Sequence, residues 1–245
     1  RWPRMSLLNV EDLQAGYGKV QVLFNGHIKV EPGELVGIVG PNGAGKSTFL
    51  GAIAGAVKAS HGTIEFGGES IRSKNPEDIV RLGLALVPEG RAIFTDLTVN
   101  ENLRLGLTGR REKSGAQKAI EEVIDLFPVL ITHRNHQAGL LSGGQQQQLA
   151  IARALVSEPK LLMLDEPSLG LSPTVIQDVF GVLNRIQDQG TAIIVVEQRA
   201  HLVMSIAART LVIREGHVRA TLLREDAQDE ARLAAAYFGT GEDLE

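Results

Sequence analysis

Residues 40–48 read Gly40-Pro41-Asn42-Gly43-Ala44-Gly45-Lys46-Ser47-Thr48 and fit G-x-x-x-x-G-K-[ST] throughout. The chemistry of that spacing is phosphate binding. Glycines let the backbone curl until successive N–H groups converge on phosphate oxygens, and the helix that follows adds its positive end. Lys46 then reaches the β- and γ-phosphates, and the Ser47 hydroxyl ligates Mg²⁺. Further along, the apolar run Leu161–Leu164 closes on Asp165 and Glu166. Side chains alternate along a strand, so these carboxylates diverge: Asp165 to hold Mg²⁺, directly or through water, and Glu166 to orient and deprotonate an attacking water. Leu141-Ser142-Gly143-Gly144-Gln145 begins a second helix with N–H groups and a hydroxyl free for an anion. Alone it is an ordinary N-cap with flexible glycines. In a chain that already has a complete phosphate loop, it suggests a site finished from another chain.

Those residues need rigid elements behind them. Leu35–Val39 is a strand-length apolar run leading into the phosphate loop, and a helix follows from Lys46 to Gly55. Before it, Leu7–Val30 reads as short β pieces broken by Gly16, Gly18 and Gly26. After it come a strand at Gly62–Phe66, a helix at Pro76–Leu82 and a strand at Leu84–Val87. Residues 98–156 carry helical periodicity without a strand, interrupted by a polar loop at Thr108–Gly115 that contains Arg110, Arg111 and Lys113. Strand runs return at Leu161–Leu164, Ala192–Val196 and Leu211–Ile213, and a helix with an acidic tail is expected over Arg224–Glu245. Alternating strands and helices with fully apolar strands predict a mostly parallel sheet covered on both faces, interrupted by a helical insertion.

Composition excludes much else. The 245 residues carry 25 Lys+Arg against 29 Asp+Glu, a net charge of −4, and no Cys. Disulfide frameworks, thiolate zinc sites and cysteine nucleophiles are ruled out. The slight acidity argues against a broad nucleic-acid face, and 4% aromatic residues against stacking platforms. No apolar run approaches the roughly 20 residues of a membrane span. Arg1-Trp2-Pro3-Arg4 ahead of Met5 reads as an upstream start or an appended remnant without a signal peptide's apolar region, so the expected location is the cytoplasm.

From about Leu7 onward the chain resembles the ATP-binding-cassette ATPases, through the Walker A loop Gly40–Thr48, the signature Leu141–Gln145, the Walker B strand Leu161–Asp165 and Glu166, in that order. The resemblance implies an α/β P-loop NTPase with a RecA-like, mostly parallel sheet core, an antiparallel β subdomain and an inserted α-helical subdomain. It implies one ATP-binding domain over 5–245, with its core at 5–89 and 157–220, its helical subdomain at 90–156 and a helical tail at 221–245. It also implies two cassettes packed head to tail, each ATP lying between one chain's Walker A and the other's signature. By the same resemblance Tyr17 stacks on adenine, although a tyrosine in a glycine-rich turn needs no such role, and Ser168-Leu169-Gly170-Leu171 is the D-loop.

Two positions depart from the general pattern. Glu89 stands where the family has the Q-loop Gln, and Gln198 where it has the switch His. Glu89 can still ligate Mg²⁺ but adds negative charge, while Gln198 can position a phosphate or water but cannot carry a proton. His201, three residues on, is better read as a surface or filling residue than as a substitute. With Val87-Pro88-Glu89-Gly90-Arg91, Phe94, Leu97–Leu103 and Val196-Glu197-Gln198, the departures resemble a narrower group: the shorter ATPase subunit of bacterial branched-chain amino-acid importers. That implies a peripheral protein on the cytoplasmic face of the inner membrane. Its partners would be a second, different ATPase subunit, two permeases docked on residues 90–155 and a periplasmic binding protein, with no nucleic acid and no direct contact with the transported substrate. Three alternatives stay open: the ATPase of a urea or amide importer, a soluble cassette acting on nucleic acid or ribosomes, and a nucleotide-binding subunit that barely hydrolyses.

Overall fold

The computed structural model describes residues 6–110, 114–229 and 234–237. The chain opens with an antiparallel pair, β1 (Leu8–Tyr17) and β2 (Val20–Val30), turning at Gly18, whose φ of +59° suits glycine. Gly16 and Gly26 do not break the strands, contrary to expectation. Gly16 sits where the β1–β2 ladder shifts register, and a Cβ there would fall 2.1 Å from the Val20 carbonyl oxygen. A Cβ on Gly26 would come within 3.0 Å of the Phe49 ring. Both glycines serve close approach inside continuous strands.

After β3 (Leu35–Val39), α1 (Lys46–Ile53) is shorter than the expected Lys46–Gly55. Then β4 (Ala59–Phe66) begins ahead of the expected Gly62, because its ladder with β1 continues past an irregularity between Glu11 and Gln14. The two-residue β5 (Glu69–Ser70) was not anticipated, whereas α2 (Pro76–Leu82) and β6 (Leu84–Val87) have the expected bounds. The middle of the chain is helical: α3 (Val99–Gly106), α4 (Ala116–Leu126), α5 (Pro128–Thr132) and α6 (Gly143–Leu155). Within the polar segment Thr108–Gly115, Arg110 pairs with Glu158 at 2.8 Å, while Arg111 and Lys113 lie outside the described residues. The last third supplies β7 (Leu161–Asp165), α7 (Pro173–Asp188), β8 (Ala192–Glu197), α8 (Ala200–Met204), β9 (Arg209–Arg214) and β10 (His217–Leu223).

The strand order is β5-β4-β1-β2-β10-β9-β3-β8-β7-β6. Strands β9, β3, β8, β7 and β6 run parallel, β10 folds back antiparallel on β9, and β5, β4, β1 and β2 form an antiparallel layer. The join between the layers is thin: His217 of β10 opposite Asn25 of β2. The helical tail expected from residue 221 is corrected by β10, which takes residues 221–223, and by a 3-10 turn over Arg224–Gln228. Residues 234–237 are helical, and the rest of the expected tail lies outside the described residues.

Period-2 alternation in the central strands builds two cores. Leu35 and Val39 of β3, Leu162 and Leu164 of β7, and Ile193 and Val195 of β8 face α3, α6 and α7. Val36 and Ile38, Leu161 and Met163, and Ile194 and Val196 face α1 and the antiparallel layer, where Phe49, Leu50 and Ile53 fill the gap. Every residue of β3, β7 and β8 is buried, as the near-continuous apolar sequence requires.

Candidate active site

Register brings the chemistry together. Val39 pairs with Glu197, Val196 with Asp165, and Leu164 with Val87, so four adjacent parallel strands end at one edge. The loops beyond them carry the phosphate loop, Gln198, Glu166 and Glu89. Ligands of open α/β sheets bind at this carboxyl edge. A cavity of about 320 Å³ there is lined by Asn42, Gly43, Gly45, Lys46, Ser47, Thr48, Glu89, Glu166 and Gln198, together with Val22 and Leu169.

Gly45 caps α1 in the left-handed region, at φ +100°, a conformation that suits glycine. Lys46 is 5% exposed. Its Nζ donates to the carbonyls of Gly40 at 3.0 Å and Pro41 at 3.1 Å, and pairs with the Glu166 carboxylate at 3.4 Å. Gly40, Pro41 and the buried Ala44 thus frame the loop and do not line the cavity. The Thr48 hydroxyl donates to the Tyr17 hydroxyl at 3.4 Å, which ties an exposed aromatic ring to the first turn of α1 just outside the cavity.

Asp165 ends β7, 7% exposed, and its Oδ1 has no hydrogen-bond partner. Burial pushes its carboxyl above the ordinary 3.8, with Glu166 and Glu89 acting in the same direction; the Ser47 hydroxyl bonded to it and the Lys46 ammonium pull the other way. Protonation therefore favours the fold. That stabilisation is complete below pH 3.8 and is lost as pH rises through the raised value. At neutral pH the ionised carboxylate costs stability, so Asp165→Asn is expected to raise the melting temperature of the nucleotide-free chain by about 2–4 °C. Calorimetry checks this, and a lowered melting temperature would contradict it.

Glu166 follows at φ +48°, its N–H bonded to the Val196 carbonyl at 2.9 Å. Glu197 is 2% exposed and accepts two 2.8 Å bonds from Ser168, one from the backbone N–H and one from the hydroxyl. Burial raises its carboxyl above the ordinary range despite both bonds. Gln198 is exposed, and its carbonyl accepts from the Tyr237 hydroxyl at 3.2 Å. His201 is exposed on α8 and takes no part in lining the cavity.

Ser142, Gly143, Gly144 and Gln145 lie apart from this cavity, at the start of α6. Ser142 Oγ accepts from the Gln145 N–H at 3.3 Å, and Gln145 Oε1 accepts from the Ser142 N–H at 2.8 Å, a closed capping box. Gly144 has a packing reason, since a Cβ there would meet Val175 of α7 at 2.5 Å. Sequence reasoning missed Arg91, whose guanidinium lies against Gly143 and donates to Gln146 Oε1 at 3.0 Å. It placed Ser168 in the D-loop without a bonding partner and assigned no role to Glu197 or Tyr237.

The family described as ABC transporter matches residues 23–169, which span the phosphate loop, the α6 start and the strand-end acids. The chain belongs to that family. It is 41% identical to the high-affinity branched-chain amino acid transport ATP-binding protein BraG of Pseudomonas aeruginosa, over 86% of this chain and 91% of that protein. It is 34% identical to the probable branched-chain amino acid transport ATP-binding protein LivF of Archaeoglobus fulgidus, over 86% and 90%. A crystal structure of the ADP conformation of an ABC-transporter ATP-binding cassette superposes with a TM-score of 0.83 at 25% identity, covering 96% of this chain and all of that one. The chain is thus a nucleotide-binding ATPase with the cassette fold. No described helix is long and apolar enough to cross a membrane.

Proposed function

We propose that this chain hydrolyses Mg²⁺-ATP in the cavity at the carboxyl edge of the sheet and so powers an importer of branched-chain or related amino acids. The observation that carries the reading is the convergence there of Lys46, Ser47 and Glu166, with Asp165 buried behind the lining, its orphaned Oδ1 on a carboxylate coupled to the Ser47 hydroxyl. Among the described residues no cluster of three or more His, Cys, Asp or Glu could hold a metal alone. A Mg²⁺ takes few protein ligands and completes its shell with phosphate oxygens and water. Ser47 and Asp165 would hold it, with Glu89 at the cavity rim; bound there, the ion neutralises developing phosphate charge.

The chain's own groups do the rest. The loop N–H groups and Lys46 hold the phosphates, Tyr17 offers a ring to the adenine, and Glu166 takes a proton from the attacking water. Gln198 orients water or the γ-phosphate by hydrogen bonding alone. The Ser142–Gln145 helix start, remote from this cavity, would close over nucleotide held by a second cassette, a different subunit in the importer.

The importer reading draws on the likeness to BraG and LivF. A groove of about 500 Å³ walled by α2, β6, α3 and α6 would take a permease segment. Its wall includes Phe94 beneath the Arg153 guanidinium at 5.3 Å, and Arg153 Nη1 is buried without a partner. Arg153→Ala is expected to cut recovery of permease with this chain at least about fivefold, since it strips the groove wall of the guanidinium over Phe94, and a hydrogen bond to a charged group is worth roughly 1.5–3 kcal/mol. ATP binding should be unchanged; undiminished permease recovery would count against the groove. Affinity purification from native membranes, with identification of co-purifying chains, tests the whole reading. Two permeases, a second cassette and a binding protein specific for branched-chain amino acids are expected; recovery with ribosomes or nucleic acid would overturn it.

A further inference from the structure

We infer that Glu197 is a positioning residue for hydrolysis, clamping Ser168 so that the turn between them holds Glu166 toward the phosphate loop. The inference rests on the proposed role of Glu166 and deepens it. Glu166, Pro167 and Ser168 form a turn fastened to β8 at both ends. At its start the Glu166 N–H donates to the Val196 carbonyl at 2.9 Å. At its end both oxygens of Glu197 accept from Ser168 at 2.8 Å. The Glu166 carbonyl also accepts from the Leu169 N–H at 3.1 Å, closing the turn on itself. Glu166 is held at a φ of +48°, a conformation that non-glycine residues keep only where the surroundings over-determine it.

The rest of β8, Ala192–Val196, is wholly apolar and buried, so a carboxylate at Glu197 spoils an otherwise dry strand. Its cost is offset only because both oxygens are bonded, and both bonds go to one residue. Gln198, the next residue, reaches the cavity, so the clamp fixes two lining side chains by backbone connection. Displacing a water-directing carboxylate by about 1 Å can cost a hundredfold in rate while leaving nucleotide binding intact.

The test measures steady-state ATP hydrolysis and ATP affinity in the purified transporter complex carrying Glu197→Ala, Glu197→Gln or Ser168→Ala in this chain. Glu197→Ala should lower kcat about ten- to hundredfold with KM within about twofold. Glu197→Gln, whose amide can accept from the Ser168 N–H and donate to its hydroxyl, should stay within about threefold of wild type. Ser168→Ala should lower kcat less than Glu197→Ala and add nothing to it in the double variant. A full kcat in Glu197→Ala, or equal losses in the Ala and Gln variants, would overturn the inference. If Glu197→Ala does not fold, an unchanged kcat in Ser168→Ala overturns it. Lys46→Ala and Glu166→Gln run alongside: their activity would defeat the underlying reading, whereas their silence beside a fully active Glu197→Ala defeats this inference alone.

Discussion

Glu166→Gln is expected to stop phosphate release while ATP stays bound, and to trap the cassette in a closed pair. The Glu166 carboxylate lies 3.4 Å from Lys46 Nζ, each partly neutralising the other. An arriving γ-phosphate competes for the ammonium, and the carboxylate is then left beside the phosphate to take a proton from water. The amide of Gln accepts hydrogen bonds but cannot take that proton. A positioned base is worth about 10²–10⁴ in rate, and kcat should fall by that factor. Removing a negative charge beside Glu89 and Asp165 should at the same time tighten ATP binding. Sedimentation in ATP and in ADP reads the trap, with a slow-dissociating pair expected only in ATP. Wild-type phosphate release from Glu166→Gln would remove Glu166 from the mechanism.

Lys46→Ala carries the second large effect. Its ammonium is 5% exposed and already fixed by the Gly40 and Pro41 carbonyls, so it needs little reorganisation when phosphate arrives. Losing a preorganised charge of this kind costs about 10²–10³ in rate. Here it also leaves two loop carbonyls without their donor and Glu166 without its ion-pair partner. Hydrolysis should fall to background and ATP affinity about tenfold or more. Lys46→Arg should not rescue, because a planar fork does not fit where a compact ammonium bridges two carbonyls. Phosphate release surviving either change would contradict the assignment.

Much of this site is legible in sequence because its parts are local. The phosphate loop carries its glycines, Lys46 and Ser47 within nine consecutive positions (Gly40–Thr48), and the apolar runs before it and before Asp165 can only be buried parallel strands. Glu89 and Gln198 follow such runs, so the strand register delivers them to the same edge. What escaped is nonlocal. Glu197 ends an apolar strand, where an acid looks like a solvated strand end. Only the fold shows it buried on Ser168. Tyr237 reaches Gln198 across 39 positions of the chain, a contact no local pattern announces. Strand β10 was missed because most of its residues are half-buried, so His217, Arg219 and Ala220 show no alternation. Glycines misled in both directions: Gly16 and Gly26 suggest breaks but lie inside strands, and Gly144 suggests an anion site but also admits Val175.

The central claim is that this cavity converts ATP hydrolysis into transport by other chains. Proteoliposomes holding the purified transporter and its binding protein, with ATP on the side of this chain, test it most directly through uptake of radiolabelled leucine. ATP-dependent accumulation is predicted with the wild-type chain, and none above the ATP-free level with Lys46→Ala or Glu166→Gln. Accumulation that persists with either variant, or wild-type ATP hydrolysis with no uptake of any branched-chain amino acid, would contradict it.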